Sequence, residues 1–242
     1  MLQTVLSKKL LRIVKILFFI FIPIIFFYFF SFVEKTFRIK TIIINRNKYE
    51  LSLYGVDEFK NQNLLLLPES LIANSIQKRN PRIKKVEIEK QYPSTLTLKI
   101  DFESDFVNLQ TNKGFFILNN KGKILEKTKI INNNLPLITY FQKIDHSSFQ
   151  PGNLIDYNDI LLAIYFVENI NKLGRTVNTV DIGSLYMIRF KIEDIIVIFS
   201  TEKEKEIQMY ELSSILKRYQ IEGDKYNTID LRFDKPILKI SD

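Results

Sequence analysis

The one histidine of this 242-residue chain, His146, stands in Asp145-His146-Ser147-Ser148. A histidine beside serines and an aspartate has the residue types of a general base paired with a nucleophile. Its setting is a hydrophilic loop, so we read His146 as a solvated side chain rather than a catalyst. Carboxylates also cluster at Glu193/Asp194 and at Glu202/Glu204/Glu206, residue types that can do acid–base work. The first pair falls at an expected turn. The second set falls in the first turn of an expected helix, where acids favour the dipole. Both are read as solvated structural charge. With one histidine and no cysteine, a histidine metal cluster, a cysteine metal site, a disulfide and a thiol nucleophile are all excluded. Seven glycines form neither of the glycine-rich phosphate-binding patterns. The residues therefore predict no catalytic residue, no metal ligand and no cofactor.

Charge removes a second class of function. The net charge of +8 suggests nucleic acid at first sight. Residues 1–40 hold seven of the basic residues against Glu34 alone, which is +6. The other 202 residues hold 28 basic and 26 acidic side chains, only +2. The basic excess flanks an apolar run, and the remainder has no reason to seek phosphates.

That run, Ile16–Val33, has 18 residues, eight of them Phe, and no charge. It is long enough to span a bilayer as a helix. It is longer than the apolar region of a cleaved signal and ends without small residues, so a retained anchor is expected. Lys8, Lys9, Arg12 and Lys15 precede it, and Lys35, Arg38, Lys40, Arg46 and Lys48 follow, so the flanking charges leave orientation open. The mass asymmetry between a tail at 1–15 and about 200 residues beyond favours a single-pass protein with its bulk outside the cytoplasm.

The elements that would carry any site then follow. Phe37–Ile44 is a β-branched strand, so the folded part begins close to the bilayer. Gly55–Phe59 is read as opening a short helix, and Pro68-Glu69-Ser70 as starting another that ends at Asn80-Pro81. Val86–Glu103 alternates apolar and polar residues about a Tyr92-Pro93-Ser94 corner, which predicts a hairpin with one buried face. The two helices are expected on that face. Beyond residue 104 the chain reads as strands with two helices. A hairpin turns at Asn119-Asn120-Lys121, and further strands are expected at Leu135–Phe141, Val177–Ile182, Tyr186–Phe190, Ile195–Phe199, Thr228–Phe233 and Ile237–Ile240. Ile160, Ala163, Ile164, Val167 and Ile170 mark one helix face, with Asp156 as N-cap and Gly174 as stop. The other helix opens with a capping box at Thr201–Glu204, and its apolar face is Met209, Leu212, Ile215, Leu216 and Tyr219. It is expected to close with Lys217 and Arg218 in its last turn and Gly223 beyond. The fold class is α+β.

In this order the features resemble the bacterial cell-division family FtsQ, called DivIB in Gram-positive bacteria. Pro81–Phe102 is similar to that family's proline, paired strands and aromatic-proline corner. Ile117–Ile124 with Leu135-Pro136 is similar to its later hairpin, and Ile229-Asp230-Leu231-Arg232-Phe233 to its closing aspartate-leucine-arginine motif. Asn45, Ser104 and Asn119 depart from the pattern. The resemblance implies a cytoplasmic tail at 1–15, an anchor at 16–33, a POTRA domain at 37–104 and a β domain at 105–242. It also implies a non-enzymatic scaffold of the division septum that binds small coiled-coil membrane proteins like FtsB (DivIC) and FtsL and regulates septal peptidoglycan synthases. A membrane-anchored envelope enzyme or another POTRA adaptor is the alternative. Pro236 points independently to a sheet edge or strand start, since proline has no N–H for a ladder. The resemblance implies that the final β edge takes the FtsB-like partner and that the partner-facing aromatic after the aspartate-leucine-arginine motif is Phe233. Arg232, Phe233, Lys235, Ile237 and Lys239 are therefore the expected partner-binding residues, by strand addition.

Overall fold

The computed structural model describes residues 2–46, 52–222 and 226–240. Lys48 and Gly223 lie outside them. The chain divides into two compact units, Met1–Arg79 with Lys85–Asp101 and Asn80–Lys84 with Phe102–Asp242.

The first unit opens with α1, Leu2–Thr36, a helix that continues through both the expected tail and the expected anchor. Within it Phe18–Thr36 is long and apolar enough to cross a membrane, and none of that stretch is buried by protein. Pro23 lies inside the helix. The following strands are β1 (Thr41–Arg46), β2 (Ile83–Gln91) and β3 (Thr95–Phe102), hydrogen-bonded in the order β1-β3-β2. β1 runs parallel to β3, with Ile42 opposite Leu96 and Ile44 opposite Leu98. The parallel return needs a crossover, which carries α2 (Glu69–Arg79). Ile72 and Ile76, one turn apart, are its buried contribution, as Leu96, Leu98 and Ile100 are that of β3. The other expected helix is a single 3-10 turn, Asp57–Phe59, which buries Phe59. Asn45 lies inside β1 opposite Lys99 and so makes no loop. Thr97, expected to face solvent, is 3% exposed and its hydroxyl has no partner. It lies on the central strand, opposite Ile43 of β1.

The second unit is a nine-stranded sheet with two helices. Its strands are β4 (Val107–Thr111), β5 (Gly114–Leu118), β6 (Ile124–Thr128), β7 (Leu137–Tyr140), β8 (Val177–Ser184), β9 (Met187–Ile192), β10 (Ile195–Ser200), β11 (Tyr226–Asp230) and β12 (Ile237–Ile240). Their order is β12-β11-β10-β9-β8-β7-β4-β5-β6. β4 has no counterpart in the sequence-based reading. The polar Asn108 hides it, being fully buried while its amide donates to the carbonyls of Asn132 and Leu135.

Helix α3, Asn158–Lys172, buries the five residues expected of it together with Phe166. Phe166 stacks on Phe199 of β10 at 4.0 Å, and Phe190 of β9 meets both edge-on at 5.9 and 5.1 Å. Tyr157, not Asp156, occupies the N-cap and gives no side-chain cap. Its ring packs 5.6 Å from Tyr140, which draws it toward the sheet and leaves Asp156 one residue outside. Gly174 follows the helix end at φ +75°, a left-handed stop suited to glycine.

Helix α4, Lys205–Glu222, joins the parallel strands β10 and β11 and touches α3. Leu212 and Leu216 are buried, with Met209 and Ile215 packed beside them. The capping box at Thr201–Glu204 does not form. Thr201 instead donates to the Leu185 carbonyl, and Ser200 Oγ accepts from the Glu202 and Lys203 amides. Gln208, fully buried, bonds both backbone groups of Ser200 and the Lys203 carbonyl, so the helix begins at Lys205. It runs on to Glu222, and Lys217 and Arg218 sit a turn before its end.

Candidate partner-docking edge

Strand β12 sits at one end of the nine-stranded order, with β11 as its only partner among the described residues. In their antiparallel register Asp230 faces Ile237, Ile229 faces Leu238 and Thr228 faces Lys239. Ile229 points into the core and is fully buried. The alternate positions, Thr228 and Asp230 with Lys239 and Ile237, therefore lie on the opposite face. Across β10 that face continues through Ile196 and Ile198, opposite Thr228 and Asp230.

The connection from β11 to β12 is held by side chains rather than by a ladder. Leu231 is fully buried, and its amide donates to the Ile198 carbonyl at 2.8 Å. Lys203 reaches in from the segment before α4. Its ammonium donates to the carbonyls of Leu231 (3.3 Å) and Phe233 (2.9 Å) and pairs with Glu211 at 2.7 Å. Arg232 turns back on Asp230, donating to both carboxylate oxygens at 2.9 and 2.7 Å. Burial pushes the Asp230 carboxyl up, but the Arg232 side chain and amide together outweigh it and hold Asp230 below the usual carboxylate range, and Asp230 in turn raises Arg232. The Arg232 guanidinium lies 5.5 Å from the Phe233 ring centre.

The five expected partner-binding residues occupy this one edge. Phe233 is 49% exposed, outside the core. Ile237 is 47% exposed, and Lys235 and Lys239 are exposed. Pro236 immediately precedes β12, where no ladder N–H is required of it. Arg232 is engaged by its own chain, so it shapes the edge more than it reaches from it. Sequence reasoning missed the Lys203–Glu211 clamp. It also missed Ile196, whose alternation with the core residue Val197 was the available signal.

Elsewhere the candidate chemistry resolves differently. His146 is not freely solvated. Its ring stacks on Phe116 at 5.0 Å and Nδ1 lies 2.9 Å from Thr111 Oγ1. The Thr111 hydroxyl donates to the Gly114 carbonyl, so Nδ1–H is the donor to Thr111. Burial, followed by Lys127, lowers the pKa of His146 below its ordinary 6.5. Ser147 and Ser148 do not meet this imidazole. Both hydroxyls donate to Asp145, whose carboxyl they hold far below its usual range. An adjacent cavity of about 370 Å³ is lined by Gln110, Thr111, Asn112, Tyr140, Gln142, Lys143 and Ile144, without a carboxylate. Glu193 lies in the β9–β10 turn and pairs with Arg175 at 3.0 Å. Among the described residues no three His, Cys, Asp or Glu side chains gather as a metal site.

Asn119, one of the departures noted above, is 2% exposed. Its Oδ1 accepts from the amides of Lys121 and Lys123 at 2.9 Å each, which closes the β5–β6 turn as a carboxylate would.

Residues 37–101 match the family model described as "POTRA domain, FtsQ-type". Two curated relatives are similar to most of the chain. A cell division protein DivIB of Clostridium tetani (strain Massachusetts / E88) is 24% identical over 219 residues, 81% of this chain and 77% of that protein. Another DivIB, from Clostridium botulinum (strain Loch Maree / Type A3), is 28% identical over 161 residues, 64% of this chain and 62% of that protein.

Proposed function

The chain belongs to the FtsQ/DivIB family of cell-division proteins, and from that premise we propose that it is a non-enzymatic, membrane-anchored scaffold of the division machinery. Its bulk lies outside the cytoplasm at the septum, where it binds FtsB/DivIC- and FtsL-like coiled-coil proteins and so regulates septal peptidoglycan synthases. The observation that carries the proposal is the β12 edge. An edge strand offers a row of N–H and C=O groups to another chain. Adding a strand uses those groups for affinity and the side chains for selection. Phe233 and Ile237 supply exposed apolar area beside β12, while Lys235 and Lys239 favour an acidic partner strand and discourage self-pairing.

The test is capture of the two small coiled-coil partners by the full-length protein from detergent-solubilised membranes, comparing Phe233→Ala and Lys235→Glu with the parent. Phe233→Ala should weaken capture roughly tenfold or more, as truncation of a central aromatic contact does, with the melting temperature nearly unchanged. Normal capture by both variants would place the site elsewhere. Loss of folding in Phe233→Ala would return that ring to the core.

A further inference from the structure

We propose that the Leu65–Leu66 turn and the Tyr92 corner of the first unit dip into the lipid headgroup interface beside the membrane helix. The inference rests on reading α1 as a membrane span. The apolar run ends at Val33, and three more residues of helix rise only ~4.5 Å, within the headgroup layer that flanks the hydrocarbon core. The helix ends at Thr36 and Phe37 N–H still bonds the Val33 carbonyl, so Phe37 stands at that level.

Two segments distant in sequence converge on Phe37. One is the turn at 63–67. Asn63 makes an antiparallel bridge with Arg38, and the Leu64 amide donates to the Phe37 carbonyl at 2.8 Å. Antiparallel pairing means that as the chain advances from Asn63 to Leu65 it runs back alongside 38, 37 and 36, toward the bilayer. The turn closes with the Leu67 amide on the Asn63 carbonyl. Leu65 and Leu66 are thus its apex. Leu64 and Leu67 are buried, whereas Leu65 is 44% and Leu66 73% exposed. The other segment is the β2–β3 corner. Its Ser94 carbonyl accepts from the Lys40 amide at 2.9 Å, and the exposed Tyr92 ring meets Phe37 edge-on at 6.0 Å. Lys90 Nζ bonds the Leu67 carbonyl at 2.7 Å, which ties the corner to the turn.

Two adjacent leucines at a turn apex are a poor fit to water. The lipid interface is the occupant that the span itself brings to this place. A tyrosine at headgroup depth suits the aromatic belts of membrane proteins. Lys35 and Lys40, both exposed, add the charge that attracts anionic headgroups. The unit is then held to the bilayer by a second contact, which fixes its tilt where the helix alone would leave it free to rotate.

The chain contains no tryptophan, so a single introduced one reports cleanly. Leu66→Trp, Leu65→Trp and Phe32→Trp are made in the full chain and placed in vesicles of phosphatidylcholine and phosphatidylglycerol carrying bromines high or deep on the acyl chains. Phe32→Trp reports the span. If it is not quenched by bromine, the span reading fails and the inference with it. With Phe32→Trp quenched, Leu66→Trp should emit blue-shifted light, resist acrylamide, and lose most of its fluorescence to shallow bromines and less to deep ones. Leu65→Trp repeats the measurement from the neighbouring apex position. Red-shifted emission open to acrylamide at both positions overturns the proposal while leaving the span intact. Shielding from acrylamide without bromine quenching also overturns it, because protein rather than lipid then covers the turn.

Discussion

At the residue scale, single polar side chains satisfy turn amides that the backbone bonds leave over. Asn119 is the clearest case, since one buried oxygen satisfies two amides. Asn119→Ala leaves both amides unpaired and should cost ~1–3 kcal/mol, measured by chemical denaturation. Asn119→Asp keeps the acceptor and should cost much less. His146 makes a second prediction, of pH dependence. Its pKa is lowered in the fold by burial, then by Lys127, with Lys113 acting the same way and Asp145 opposing. The unfolded chain therefore takes up the proton at a higher pH than the folded one. Stability from this site is complete above the ordinary value of 6.5 and declines as pH falls below it. Asp145, also lowered, acts in the same direction only below its ordinary 3.8. His146→Gln should flatten the fall in melting temperature between pH ~6.5 and ~5. An unchanged slope would show that other groups carry it.

At the element scale, the edge owes its shape to α4 as much as to its own strands. Lys203 donates to two carbonyls of the β11–β12 connection while it is paired with Glu211, and both side chains are under 20% exposed. Lys203→Met removes these bonds and strands the carboxylate, a cost of ~1–3 kcal/mol. The expected readout is faster amide exchange across 231–240, with the amides of β8, β9 and β10 still protected. Uniformly faster exchange would mean that the clamp supports the whole sheet instead. The aromatic trio of Phe166, Phe190 and Phe199 plays that global part.

At the scale of the whole molecule, an apolar helix long enough to cross a membrane and two compact units make an α+β chain similar to the cell-division proteins DivIB. The topology proposed for it is testable directly. A reporter active only outside the cytoplasm, fused after Asp242, should be active, and mass spectrometry of the mature protein should recover peptides from before Val33. A mature N-terminus near Glu34 would instead make the apolar run a cleaved signal.

Periodicity and punctuation in the sequence determined most elements by themselves, because those signals are local. The 18-residue apolar run, the alternation around Tyr92-Pro93 and the helix face from Ile160 to Ile170 could each be read within one stretch of chain. Element ends were decided elsewhere. Asp156 and Thr201 have the right chemistry for caps, yet a tyrosine pair and the Ser200–Gln208 bonds moved both helix starts. The strand β4 escaped notice because Asn108 looks like loop until Asn132 and Leu135 surround it. His146 looked solvated because Phe116 and Thr111, 30 and 35 residues away, are invisible from its loop. The docking edge divides in the same way. Pro236 and the lysines marked an edge from the sequence alone, but only the tertiary structure brings Lys203 under Phe233 and turns Arg232 back on Asp230. Local patterns record which face of an element is buried. Which distant side chain satisfies a given polar group depends on packing between elements, and no single stretch of sequence encodes that.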